Sequence, residues 1–296
     1  MSVNDELGKR MKEYYEQVPK YRLMRRTPVA IRIDGKAFHT FTRGFQKPFD
    51  EVLINSMQET MKYLCENIQG CVLGYTQSDE ITLILVDYKK LNSSAWFDYE
   101  VQKMCSIAAS MATMAFNKFF QKNYLEWKND TFQTNYLGHS MHDIDESLIH
   151  DMNLKETYEK AIEKGAMFDA RCFNIPKEEV TNLLYWRQVD AARNSVQMAA
   201  RAYFSHSECD NKNQAQLQEM LFQKYGINWN DYPIYLKRGS CCIKVEGATY
   251  NATYAKGDST ITWTTERSHW EIDTEIPMFK GEDRNYVERF IQPEEE

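Results

Sequence analysis

The chain lacks most of the features that would assign it to a special compartment or a simple class. No apolar run approaches the ~20 residues needed to span a bilayer, and the opening stretch "MSVNDELGKRMKEYYEQ" has no apolar core of the secretory kind. Its seven cysteines, Cys65, Cys71, Cys105, Cys172, Cys209, Cys241 and Cys242, show no CxxC spacing and no zinc pattern. They read as reduced thiols, and the expectation is a cytoplasmic protein without a membrane segment. An excess of basic residues is also missing. The net charge of −7 argues against a generic nucleic-acid coat, because phosphate binding needs clustered Lys and Arg. No internal repeat is visible, and the terminal "PEEE" is the one low-complexity segment.

What is present is an ordinary globular composition. Hydrophobic residues make up 43% and aromatics 13% of 296 residues, enough to bury a substantial core without staples. "TPVAIRID" reads as a short β-branched strand. "KPFDEVLINSMQETMKYLCENI" keeps helical spacing, with Pro48 suited to a first turn. "CVLGYT" and "ITLILVDY", separated by the polar "QSDE", form a hairpin signal. A second helix runs through "DYEVQKMCSIAASMATMAFNKFFQ", and "AMFDARCFNI" reads as a fourth strand. The order β-α-β-β-α-β is the split ferredoxin-like unit. The expected fold is therefore α+β: a palm-like antiparallel sheet over residues 1–123 and 166–175, with helices and short strands from 176 to 296. Between them lies an acidic stretch, 124–165, read as a solvated insertion. Its His139, His142 and His150 are too loosely spaced to specify a metal.

In that topology the end of the first strand lies beside the turn joining the second and third. Asp34 is at the former and Asp79 at the latter. Two carboxylates at close range do not both stay ionised without a cation between them. With the carbonyl of Gly35 nearby, the pair suits magnesium, which takes one or two carboxylates and completes its shell with water and phosphates. Two such ions, ~3.5–4 Å apart, clamp the attacking and leaving oxygens of a phosphoryl transfer. Lys36, His39, Lys47, Ser78 and Lys103 are candidate phosphate or base contacts. Arg187, Asn194 and Arg201 recur every seven residues on a long predicted helix. They form either a solvated stripe or a phosphate-contacting face.

The blocks "RIDGKAFHTF", "FQKPFD" and "YTQSDE", followed in order by "SIAASMATMAFN", "FDAR", "YWRQVDAARNS", "LFQKYGINWND", "KRGS" and "EIPMF", resemble the tRNA-histidine guanylyltransferase family. The resemblance covers most of the chain, and it implies a polymerase-like palm that adds nucleotides to the 5′ end of tRNA in the 3′–5′ direction. It implies that Asp34 and Asp79, with the Gly35 carbonyl, hold two Mg2+. Glu80 matches a family acid that contacts the metal or orients its ligands. Residues Gly35, Lys36, Ala37, Phe38 and His39 with Ser78 would line the nucleotide, and Lys47 and Lys103 would reach its triphosphate. ATP and GTP or other nucleoside triphosphates would be substrates, tRNA the partner, and a homotetramer the assembly. "AARN" (Ala191 to Asn194) and "LQE" (Leu217 to Glu219) stand where eukaryotic members carry His-Ile-Asn-Asn and Lys-Asn-Glu. Both are similar to the bacterial and archaeal branch and imply template-dependent repair of 5′-truncated tRNA. The alternatives are a guanylyltransferase specific for histidine tRNA and another palm enzyme, such as a nucleotidyl cyclase.

Overall fold

The computed structural model describes the backbone of residues 3–135, 146–256 and 259–293. Its elements, in chain order, are α1 (Val3–Met11), β1 (Val29–Gly35), α2 (Phe38–Phe41), α3 (Glu51–Asn67), β2 (Cys71–Gln77), β3 (Glu80–Leu85), α4 (Val101–Asn129), α5 (Glu146–Lys164), β4 (Phe168–Asn174), α6 (Lys177–Tyr203), α7 (His206–Cys209), α8 (Gln214–Tyr225), α9 (Ile234–Arg238), β5 (Ser240–Lys256), β6 (Ser259–Asp273) and α10 (Asn285–Glu288). Six strands form one sheet in the order β4-β1-β3-β2-β5-β6, and every neighbouring pair is antiparallel. The first four strands carry out the expected split unit, with β3 between β1 and β2.

Alternation along each strand sorts side chains onto two faces. Ile31, Ile33, Ile81 and Leu83 join Met57, Met61, Met104 and Phe116 in a core beneath α3 and α4. Ala30, Leu73, Tyr75 and Ile84 face the other way, onto Val180 and Leu184 of α6 and onto Ile276 and Phe279. A smaller cluster joins the end of α6 to α8 through Val196, Ala199, Leu217 and Leu221.

Four expectations change. Pro48 is not in the first turn of α3. Asp50 caps that helix, accepting a hydrogen bond from the Leu53 amide at 2.9 Å, and the Lys47–Pro48 peptide ahead of it is cis. The short strands expected in the tail are two long ones, β5 and β6, paired from Cys241–Asp273 out to Lys256–Ser259. The boundary placed at 123/124 falls inside α4, which continues to Asn129. Finally, α5 is no solvated insertion: Leu154, Tyr158 and Ala161 are buried in the main core. Of the histidines in that stretch, His139 and His142 lie outside the described residues, and His150 is exposed on α5.

Candidate active site

Asp34 closes β1. Its register partners are Glu80 on β3 and Asp169 on β4, so three acids lie in a row across the sheet. The next residue, Gly35, donates its amide to the Asp79 carbonyl at 3.1 Å. A Cβ on Gly35 would come within 2.2 Å of the Phe38 ring, so this position has room only for hydrogen. The β2–β3 connection is reduced to Ser78 and Asp79, with Ser78 at φ +51° and its hydroxyl donating to Asp79 Oδ1 at 3.0 Å. The strand end and the hairpin tip expected to converge are thereby brought together.

Glu80, Asp34 and Asp79 have different surroundings. Glu80 is buried, and its Oε2 accepts from Arg32 Nη2 and from Arg187 Nη2, each at 2.8 Å. Arg187 also pairs with Asp190 at 3.0 Å, and Asp190 pairs with Arg193. The Trp186 ring lies over both guanidinium groups, 4.5 Å from Arg187 and 5.5 Å from Arg32. Among the described residues no cation forms an ion pair with Asp34 or Asp79. Burial lifts the Asp79 carboxyl above the ordinary aspartate range, and the charges of Asp34 and Glu80 lift it further, against hydrogen bonds from its own amide and from Ser78. A cation bound between the two would relieve that cost. No group of three or more metal-ligating side chains occurs among the described residues. Two carboxylates with a backbone carbonyl are, however, the sparse donor set that magnesium takes when substrate phosphates complete its shell.

Beside this pair opens a cavity of about 610 Å³. One wall is Gly35, Ala37, Phe38, His39 and the loop Gln46–Phe49 that carries Lys47; Ser78 and Asp79 form its edge. The opposite wall is the second half of α6, with Asn194 and Arg201, and Tyr235 and Leu236 of α9. Ala37 is left-handed, φ +54°, which starts α2 and turns the backbone of 35–39 along the cavity.

Three expected residues sit elsewhere. Lys36 is exposed outside the cavity wall, its amide bound to the Met167 carbonyl at 2.8 Å. Lys103 is in the first turn of α4, over the Phe97 ring at 4.7 Å. On that helix the Asp34 end of the sheet is met by Thr113, whose hydroxyl accepts from the Phe168 amide, and Phe168 is the register partner of Gly35. Ten residues of helix at 1.5 Å each separate Lys103 from that level, roughly 15 Å. Within one chain, Lys103 does not reach the site. Arg187 is 5% exposed and engaged with Glu80 and Asp190, so it presents no guanidinium to solvent phosphates. The seven-residue spacing does hold as geometry. The shared face begins under the sheet at Arg187 and reaches the cavity at Asn194 and Arg201. Sequence reasoning overlooked Asp169, Arg32 and Asp50. Only Asp50, directly ahead of a helical period, carried a local signal, that of an N-cap.

Residues 8–176 match the family described as tRNAHis guanylyltransferase. A bacterial tRNA(His) guanylyltransferase (Thg1)-like protein solved in complex with ATP is 35% identical and superposes with a TM-score of 0.71, covering 96% of this chain and 99% of that one. A structure of a bacterial protein of the same description in complex with GTP gives 36% identity, a TM-score of 0.67, and coverage of 97% and 99%. The tRNA(His) guanylyltransferase of Schizosaccharomyces pombe is 27% identical over 250 residues, 79% of this chain and 81% of its own.

Proposed function

This chain belongs to the tRNAHis guanylyltransferase family, as a nucleotidyltransferase, and we propose on that footing that it adds nucleotides to the 5′ end of tRNA in the 3′–5′ direction, repairing 5′-truncated tRNAs against a template. The observation that carries the proposal is the meeting of the strand end that holds Asp34 with the Ser78–Asp79 turn, where Gly35 and Asp79 line a cavity shared with Lys47, His39 and Ser78. Relatives of this description have been solved with ATP in one case and GTP in another, which supports nucleoside triphosphates of more than one base as ligands here.

The roles follow from placement. The backbone of Gly35 to His39 lies along one side of the nucleotide, and Lys47 meets its triphosphate. Asp34, Asp79 and the Gly35 carbonyl are the residues that would hold magnesium, which when bound supplies charge neutralisation at the phosphoryl oxygens. Glu80, already engaged by two arginines, acts by orienting the pair rather than as a third ligand. The tRNA 5′ end is activated by ATP, which transfers AMP to the 5′-phosphate and releases pyrophosphate, or already carries a triphosphate. The 3′-hydroxyl of the incoming nucleotide attacks that 5′-phosphorus, the P–O–P bond breaks, and AMP or pyrophosphate departs from the opposite side. Asn194 and Arg201, across the cavity from Lys47, are placed to meet the RNA end. The segment through β4 supplies the catalytic acids, and the segment from 176 onward supplies the facing wall.

A homotetramer belongs to the same proposal. From Asp5 to Tyr21 no residue is buried, yet the segment to Met24 exposes Leu7, Met11, Tyr14, Tyr15, Val18, Tyr21 and Met24. An apolar arm of this kind needs a cover, and further copies of the chain supply one. A cytoplasmic setting accords with seven free cysteines, and no helix among the described residues is long and apolar enough to cross a membrane.

The deciding experiment is incubation with a 5′-truncated tRNA, labelled nucleotides and magnesium. Incorporation of only the nucleotides that pair with the opposite strand supports repair. Guanine added irrespective of pairing, and only to histidine tRNA, would replace it with the dedicated activity, and a cyclic nucleotide formed from ATP alone would place the enzyme among the cyclases.

A further inference from the structure

Asp50 is 5% exposed, and its carboxylate connects three segments. Oδ1 accepts from the Leu53 amide and caps α3. Oδ2 accepts from the Gln46 amide at 2.9 Å and from the Tyr158 hydroxyl at 2.6 Å. Gln46 opens the loop that carries Lys47 along the cavity wall. Tyr158 comes from the middle of α5 and is fully buried. Its ring packs edge-on against Phe45 at 5.1 Å, Trp127 at 5.0 Å and Phe120 at 5.9 Å. Its neighbour Thr157 backs the same loop one step earlier: a Cβ placed on Gly44 would come within 3.3 Å of Thr157 Cγ2.

A phenylalanine would fill this aromatic pocket as well as a tyrosine does. The hydroxyl therefore has a narrower purpose, the hydrogen bond to Asp50. That bond is charge-assisted and shielded from water, the setting in which one hydrogen bond matters most. Without it the carboxylate that holds the Gln46 amide has one partner fewer, and the loop gains alternative conformations. A loop that adopts its binding conformation for only a fraction of the time binds more weakly by that fraction.

We propose that Tyr158 is a positioning residue for the triphosphate: through Asp50 it fixes the Gln46–Phe49 loop in the conformation that presents Lys47 to the cavity. The helix α5, read from the sequence as a solvated insertion, is thereby the support of the phosphate-binding wall. This rests on the reading of Lys47 as a triphosphate contact, which its own variant tests separately.

The experiment uses the full chain and two ligands, inorganic tripolyphosphate and GTP, each titrated calorimetrically against wild type, Tyr158→Phe, Asp50→Asn, the double variant and Lys47→Ala. Guanosine serves as a ligand without phosphates. Tyr158→Phe is expected to weaken tripolyphosphate and GTP by the same factor, about tenfold, as for one lost hydrogen bond to a charged group. Guanosine binding and the turnover at saturating GTP should stay within twofold. Asp50→Asn should weaken tripolyphosphate similarly, and the double variant should lose no more than the larger single loss, because both act through one link. Unchanged tripolyphosphate affinity in Tyr158→Phe, additive losses in the double variant, or an equal loss of guanosine binding would each overturn the proposal. If Lys47→Ala binds tripolyphosphate as wild type does, the reading of the cavity itself fails.

Discussion

Asp34 and Glu80 are register partners on adjacent strands, and only Glu80 has guanidinium groups against it. Arg32 and Arg187 converge on one oxygen of Glu80, while among the described residues no cation pairs with Asp34. The acid that stays available for a cation is thus set apart from its neighbour by two arginines, of which Arg187 is buried and Arg32 partly so. The first consequence concerns Asp79, which shares the site with Asp34. Asp79→Ala should abolish nucleotide addition, measured by incorporation of label into tRNA, while a filter-binding assay shows tRNA affinity within about twofold. Normal incorporation by the variant would remove Asp79 from the site.

Arg187 is a structural cation. Removing one partner of a buried pair leaves a desolvated charge, at a cost of 3–5 kcal/mol in general; Arg187→Ala should sit at the lower end, about 3 kcal/mol, because Arg32 still pairs with Glu80. Urea titration reads this directly. The salt dependence of tRNA binding, measured on the folded fraction, should not change.

Arg201 is predicted to show the opposite pattern. It is exposed on the cavity wall and forms no ion pair among the described residues. Arg201→Ala should leave the urea midpoint unchanged and reduce the slope of log affinity for tRNA against log salt by about one. An unchanged slope would leave Arg201 as a solvated charge.

Asp50 gives stability a pH dependence of known sign. Burial raises its carboxyl above the ordinary aspartate value, outweighing the hydrogen bonds from Tyr158 and from the Leu53 and Gln46 amides. The folded chain then binds a proton more tightly than the unfolded chain. Stability from this group is full below the unfolded pKa and is lost as pH rises through the folded one. Wild type should therefore gain thermal stability relative to Asp50→Asn as pH falls from 7 towards the ordinary aspartate range, about 4. A difference in melting temperature that is flat across that window would contradict the assignment.

The amino-terminal arm is tested by size. If the proposed homotetramer forms through this arm, replacing Leu7 and Tyr14 by glutamate should give smaller species in light scattering, without changing the melting of the body, because neither side chain is buried in the chain itself. Retention of the full assembly by this variant would show that the arm is not its interface.

The sequence carried the order of elements well, because strands such as "VAIRIDG" and "EITLIL" and the helical period after Asp50 announce themselves locally. It carried the meeting of Asp34 and Asp79 through topology alone, since the split unit fixes which strand ends are neighbours. It could not place Lys103, because a helical period gives a face but not which end of the helix meets the site. Arg187 misled for a related reason: a seven-residue spacing says that side chains share a face, and says nothing of what covers it. Glu80, at the start of β3, is what covers it. Tyr158 was hidden in a segment whose average is acidic, although three of its apolar positions, Leu154, Tyr158 and Ala161, keep helical spacing.

One feature of the sheet bears on how the chain is made. β1 lies between β3 and β4, and β4 is encoded more than a hundred residues after it. Until β4 docks, the backbone amides and carbonyls of "VAIRIDG" on one side have no partner, and an unpaired apolar edge is a template for pairing with other chains. The strand that finally covers it carries Asp169 and Arg171, both exposed, on its outer position. A chain terminated before Phe168 should therefore collect in inclusion bodies to a greater extent than one that has completed β4, which closes the β1 side with a charged edge and leaves only the β2 side waiting for β5.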